Sequence, residues 1–330
     1  KTFLMKNGFG AVKGIGLSSV PRGDGMSNVR LFLNRSPESA SLPLWHAMLG
    51  GAPRKQATLG FLPADTVLFK ISDIAPGEIW QIVKSGVRDM GSREQVVAFS
   101  NGVAGASAEI GMSIDRIAAS LGDELLVSAQ LSRQAKITMP GNGGQQVEFP
   151  EPSFLAAVKV KDDSLYQLIS SALIKNEVPV IESRIGTTVL KTINKPGRNP
   201  IPMQPTIAMV GGCLVAGSNR KVVEDAIGAF NGRNGFAAGA EFKQAFKGLP
   251  EMNNGMAFES PRLFQALKDV MAAKAESEPG GRGPEAALQS LFMNMFAGKG
   301  TQGTAFTVVN QKDGVLIRGA SPAGGQQMIA

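Results

Sequence analysis

Apolar positions along the chain follow two rhythms. Some runs alternate residue by residue, as strands buried on one face do; others recur every three or four residues, as amphipathic helices do. Near the start, AVKGIGLSSV and MSNVRLFLN are strand-like runs on either side of PRGDG. In the second, Val29, Leu31 and Leu33 alternate with Arg30, Phe32 and Asn34. A short helix is expected around residues 44–49. In GFLPADTVLFKIS, Pro63 and Asp65 make a turn and residues 66–71 a strand. Pro76 then stands at the first position of a helix whose apolar face is Ile79, Ile82, Val83 and Val87. A loop is expected next, before a short helix capped by Ser113, carrying Ile114, Ile117 and Leu121 and ended by Gly122.

The rhythms continue to the end of the chain. ELLVSAQLS and FLAAVKVK alternate as strands, and the polar, glycine-rich TMPGNGGQQVEFPEP between them reads as a long exposed loop. Asp163 is expected to cap a helix with Leu165, Leu168, Ile169 and Leu173 on one face. VIESRIGTTVLKTI and PTIAMVGGCLVAGS read as strands, and Ser218 as the cap of a helix bearing Val222, Val223, Ala226, Ile227 and Phe230. After a further short helix, Ser260 and Pro261 start a helix with Leu263, Leu267, Val270 and Met271 on its face. SEPGGRGPE breaks the pattern, and a helix with Leu288, Leu291, Phe292 and Met295 is expected beyond it. Asp313-Gly314 marks the tip of a closing β-hairpin.

These elements predict an α+β protein with antiparallel or mixed sheets and helices packed on one face. Leu62-Pro63 and Leu249-Pro250 each precede a strand and then a helix opened by Pro76 or Pro261. Both continue to a second helix and a hairpin, which suggests an internal duplication. The expected division is residues 1–56 as a hairpin segment ending an earlier copy, 57–245 as a first subdomain and 246–330 as a second. RGDGMSNVRLFLNRSP and KDGVLIRGASP share a layout: Asp-Gly at a bend, an apolar strand, an Arg, then Ser-Pro. Arg22-Gly23-Asp24 is thus first a hairpin tip, since Gly tolerates positive φ and Asp bonds its own backbone; an adhesive role is the competing reading.

Composition narrows the chemistry. Apolar residues make up 43% of the 330 residues, enough for a sizeable core, and 40 glycines suit many short strands and turns. The net charge of +7 is compatible with an anionic envelope component or another protein as partner. The longest apolar run, residues 206–217, is too short and glycine-rich to span a bilayer. Lys1 opens what reads as mid-chain sequence, so an upstream segment is expected.

The sole histidine, His46, limits acid–base chemistry; we expect it on a partly buried helix face beside Trp45. With one His and one Cys the usual zinc sites are excluded, and Asp162-Asp163 suits a helix N-terminus better than a metal. Cys213, in an apolar strand, reads as an inert core residue. Ser218-Asn219-Arg220-Lys221 matches a Ser-x-x-Lys nucleophile motif, but its companion signatures are missing; Lys299-Gly300-Thr301 runs in the reverse order. GFGAVKG and GGCLVAGSN lack the spacing or the lysine of nucleotide-binding loops. Lys191, Lys195 and Arg198 form the densest basic group without interleaved aromatics, so nucleic acid is an unlikely partner. LFMNMF, with Met293 and Phe296 off the main stripe, is expected in the core. No catalytic, cofactor-binding or metal-binding residues are assigned.

FLPADTVLFKIS, SIDRIAASLGDELLVSAQLS and GGCLVAGSNRKVVEDAI resemble a broad group of uncharacterised bacterial exported proteins, domains of unknown function in which Leu-Pro-Ala-Asp opens a strand. The resemblance covers roughly residues 57–270 and implies an α+β fold outside the cytoplasm, with no catalytic residues to carry over. The expectation is a non-catalytic envelope or secreted protein with a binding or structural role. The alternative is a hydrolase or transferase using serine, lysine and carboxylates between subdomains.

Overall fold

The computed structural model describes residues 2–140, 146–194, 203–276 and 302–322. Its centre is one antiparallel sheet, and the protein is α+β as the patterns predict. In chain order the strands are β1 (Val12–Pro21), β2 (Ser27–Arg35), β3 (Thr66–Asp73), β4 (Leu121–Pro140), β5 (Gln146–Val160) and β6 (Val180–Ile185). They continue with β7 (Thr188–Ile193), β8 (Thr206–Val210), β9 (Cys213–Gly217), β10 (Gly255–Glu259), β11 (Thr304–Gln311) and β12 (Gly314–Ser321). The helices are α1 (Thr2–Asn7), α2 (Pro43–Leu49), α3 (Pro76–Met90), α4 (Arg93–Ile110), α5 (Ile114–Ser120), α6 (Ser164–Lys175), α7 (Arg220–Phe230), α8 (Ala240–Ala245) and α9 (Pro261–Glu276). The strands lie in the order β1-β2-β12-β11-β10-β3-β4-β5-β9-β8-β7-β6.

β3 and β10 are central neighbours, with Ile71 opposite Met256 and Phe69 opposite Phe258. The period-2 rule sends Phe69 and Ile71 to one face and Leu68 and Lys70 to solvent. On the inner face Phe69, Phe236, Phe246 and Phe258 cluster, with ring centroids 5.0–6.4 Å apart. α7, α8 and a 3-10 turn over Ala57–Phe61 close this core, where Val222, Val223, Ala226 and Ile227 of α7 are buried. A smaller cluster joins Ala266 and Leu263 of α9 to Val67, Leu131 and Phe149.

Several expectations need correction. The stretch read as a long loop after residue 137 is mostly strand: β4 and β5 pair out to Pro140 opposite Gln146. Its alternation is masked by prolines and polar residues because this end of the hairpin packs on little. The loop expected after α3 holds the 18-residue α4. A capping box nucleates it, Ser92 Oγ accepting from the Gln95 amide and Gln95 Oε1 from the Ser92 amide, and Gly111 ends it at φ +84°. None of its residues is buried, so no apolar stripe announced it.

Gly122 is not a helix cap but lies in β4, where a Cβ would stand 2.8 Å from the Lys159 carbonyl oxygen. Asn219, not Ser218, caps α7: its Oδ1 accepts from the Val222 amide at 2.9 Å. Asp163 holds the N-cap position of α6 without a side-chain capping bond; Asp162 Oδ1 accepts from the Ser164 amide instead. The helix expected around residues 288–295, with LFMNMF, Met293 and Phe296, lies outside the described residues, as do Lys195, Arg198 and Lys299-Gly300-Thr301.

Candidate functional site

The residues singled out for chemistry are taken up by structure. His46 is exposed rather than half-buried; its Nδ1 lies 2.7 Å from the Glu78 carboxylate and it has no second side-chain partner among the described residues. The pair faces an open cavity of about 770 Å³ between α2, α3 and α4. Three serines line it, Ser41, Ser85 and Ser100; Ser85 Oγ donates to the Gln81 carbonyl and Ser100 Oγ to the Val96 carbonyl of their own helices. Ser218 is buried, its Oγ accepting from the Phe154 amide at 3.0 Å, while Lys221 reaches Asp225 at 2.6 Å; the Ser-x-x-Lys pair therefore never meets.

Cys213 is buried, and burial, reinforced by Glu124, pushes its thiol up to about 11. Asp24 sits in the β1–β2 turn, accepting from the Met26 amide and from Arg22 at 2.6 Å, with Gly25 at φ +79°. Asp162 pairs with Arg116 at 2.9 Å. Lys191 lies 3.6 Å from Glu182 and over the ring of Tyr166. Among the described residues no cluster of His, Cys, Asp or Glu could hold a metal ion.

A different place combines shape with unspent polarity. The segment after α2 returns to the sheet as an isolated bridge, Arg54 opposite Asn253, with reciprocal backbone bonds of 3.0 Å. Arg54 fixes it. Its guanidinium donates to Asp73 at 2.8 Å and to Asp123, and lies 3.6 Å from Glu124. Asp73 and Glu124 are almost wholly buried, and Glu124 Oε1 also accepts from the Thr58 amide and hydroxyl at 2.6 and 2.7 Å. Burial opposes the Arg54 charge, but its bonds to Asp123 and Asp73 outweigh it and raise its pKa. For Asp73 burial wins and holds the carboxyl above its usual range; for the half-exposed Asp123, burial loses to Arg54 and Lys159 and the carboxyl is held low.

Beside this junction lies a cavity of about 500 Å³. Its apolar lining is Leu59, Phe242, Phe246, Leu249 and Met256, and Phe242 stacks on Phe246 at 4.5 Å. Lys55, Lys243 and Lys247 stand among its remaining residues. Gln56, 7% exposed, donates to the Asn253 carbonyl at 2.8 Å, and Asn253, 1% exposed, donates to the carbonyls of Pro250 and Glu251. Their side-chain oxygens, Gln56 Oε1 and Asn253 Oδ1, are buried with no partner. Buried acceptors in native proteins are nearly always satisfied, so these two mark an unfinished hydrogen-bond set. Among the described residues lining the cavity none carries an imidazole, thiol or hydroxyl.

A family model matches residues 127–304, more than half of the chain. The chain belongs to the family described as Protein of unknown function (DUF3352). This agrees with the group the sequence resembles, domains of unknown function. The DUF3352 region takes in the Phe242–Met256 wall of the cavity and leaves the Lys55–Leu59 wall outside. No curated protein and no solved structure matches the chain.

Sequence reasoning missed this cavity. Lys55 and Gln56 lie in an aperiodic stretch, and Asn253 sits in Met-Asn-Asn-Gly, which reads as a turn. The Arg54–Asn253 bridge and the Gln56 bond to the Asn253 carbonyl, contacts distant in sequence, bring the walls together.

Proposed function

We propose that this DUF3352 protein is a non-catalytic binding protein of the cell envelope or secreted space, and that the cavity between Leu59 and Phe246 is its ligand site. The observation that carries the reading is the pairing of an apolar lining with two buried acceptors that have no partner among the described residues, in a lining with no imidazole, thiol or hydroxyl. Ligand sites have this composition: mostly apolar walls and a few placed polar groups. The location outside the cytoplasm rests on the sequence resemblance. Among the described residues no helix is long and apolar enough to cross a membrane. Fractionation of cells carrying the natural gene tests the location, and recovery in the cytosol would remove it.

Binding is tested with the neutral fluorophore N-phenyl-naphthylamine. The expected result is saturable fluorescence at one dye per chain, abolished by Leu249→Trp, which fills the cavity, with an unchanged melting temperature. Absence of saturable binding, or equal binding by a folded Leu249→Trp variant, contradicts the assignment.

The organisation proposed with it is a pair of related halves. Hairpin β1–β2 lies against β12 as hairpin β8–β9 lies against β5. The Asp73 amide donates to the Asn254 carbonyl at 2.8 Å, and the Ser260 amide to the Val67 carbonyl at 2.7 Å. Arg54 reaches Asp73 as Glu241 meets Ser260. Residues 54, 67 and 73 thus correspond to 241, 254 and 260 at one constant spacing. The same spacing relates Lys55 and Leu59 to Phe242 and Phe246, which puts the cavity between matching segments of the two halves. In an experimental structure the halves should superpose in this register; superposition in any other contradicts the relation.

A further inference from the structure

We infer that the cavity takes an amphiphilic anion: an apolar ring system or chain against Phe242, Phe246 and Met256, an acidic group at Lys243 and Lys247, and an N–H or O–H donor for Gln56 or Asn253. This inference rests on the binding-protein reading and adds the class of ligand. Three lysines and one carboxylate, Glu251, line the cavity. Lysines elsewhere differ: Lys136, Lys221 and Lys84 each meet a carboxylate, whereas Lys70 and Lys175 meet none among the described residues. Among the described residues Lys243 and Lys247 have none within salt-bridge distance, and Lys55 meets only Glu251, at 3.9 Å with both side chains about four-fifths exposed. The carbonyl end of α8 attracts a cation, which accounts for Lys243 in its last turn and for Lys247 just beyond it. It does not account for Lys55, which lines the same cavity from the other wall. With three lysines against one carboxylate the lining carries net positive charge, which an anion offsets.

The hydrogen-bond argument is separate. Gln56 Oε1 and Asn253 Oδ1 accept from nothing among the described residues and are covered by their neighbours. Turning the Gln56 amide would break its 2.8 Å bond to the Asn253 carbonyl, so a ligand donor must reach the oxygen where it stands by displacing a neighbour that covers it. Apolar lining, lysine mouth and an acceptor at depth together select a ligand that is fatty or aromatic along its length and acidic at its outer end.

Anilinonaphthalene sulfonate has all three features, and N-phenyl-naphthylamine lacks only the charge. Both dyes are titrated fluorimetrically against the whole chain at low salt. The sulfonate is expected to bind more tightly than the neutral dye, and the Lys243→Ala/Lys247→Ala double variant to weaken it about tenfold while leaving the neutral dye unchanged. The N-methyl analogue of the sulfonate, which keeps the charge and rings but lacks the N–H, should bind more weakly than the parent. A folded double variant that binds the sulfonate as well as wild type overturns the anion assignment, and equal binding of the N-methyl analogue overturns the donor assignment. If neutral dye binds in the Leu249-dependent manner while either of these fails, the pocket stands and the ligand class falls. If neither dye binds, the binding-protein reading itself fails.

Discussion

Arg54 is the residue on which the cavity wall depends. Replacing it with Met leaves Asp73 buried beside no cation, and removing one partner of a buried pair costs about 3 kcal/mol. The pH dependence has a definite sign. Asp73 is already held high by burial, and loss of Arg54 raises it further. A carboxyl whose folded-state pKa lies above its unfolded value favours the folded state when protonated, so the deficit of Arg54→Met should shrink as pH falls from about 7 to about 5. Urea titrations at both ends of that range check it; a deficit that grows toward acid contradicts the burial of Asp73. Cys213 supplies a second test. With its thiol raised to about 11 and buried, it should resist iodoacetamide in the native protein and react once the chain is unfolded. Mass spectrometry reads the difference, and rapid native alkylation would contradict the buried strand position.

At this scale the sequence was informative where local chemistry decides. The Asp24-Gly25 turn and the inert setting of Cys213 follow from residue type and neighbours. Arg54, Gln56 and Asn253 carry no such signal, because their partners lie far away in sequence.

Among the elements, strands with clean alternation were readable, and helices with a stripe were too. β3, with Phe69 and Ile71 inward, and α7, with Val222, Val223, Ala226 and Ile227 buried, are examples. The helix that escaped reading, α4, has no buried face. α4 buries nothing, so its stability leans on its cap; Ser92→Ala should cost about 1 kcal/mol of helix stability and lower the protection of its first-turn amides. β1 is exposed along its whole length and pairs with β2 alone, at the edge of the sheet. Its free-edge amides should exchange with solvent well before those of central β10, which is bonded on both sides. Exchange mass spectrometry resolves the two peptides, and equal protection would contradict the edge position.

The strands of the described residues form a single antiparallel sheet in which the neighbours β3 and β10 come from far-apart parts of the chain. That pairing sets Leu59 and the Asn253 segment around one cavity, which no local pattern could announce. On the proposed function, the ligand enters this cavity and not the larger one beside His46. Methyl NMR during titration with anilinonaphthalene sulfonate tests it most directly. Shifts are expected on the methyls of Leu59, Leu249 and Met256, saturating together, with Ile82, Val87 and Val96 unmoved. Shifts centred on Ile82, Val87 and Val96 would contradict it.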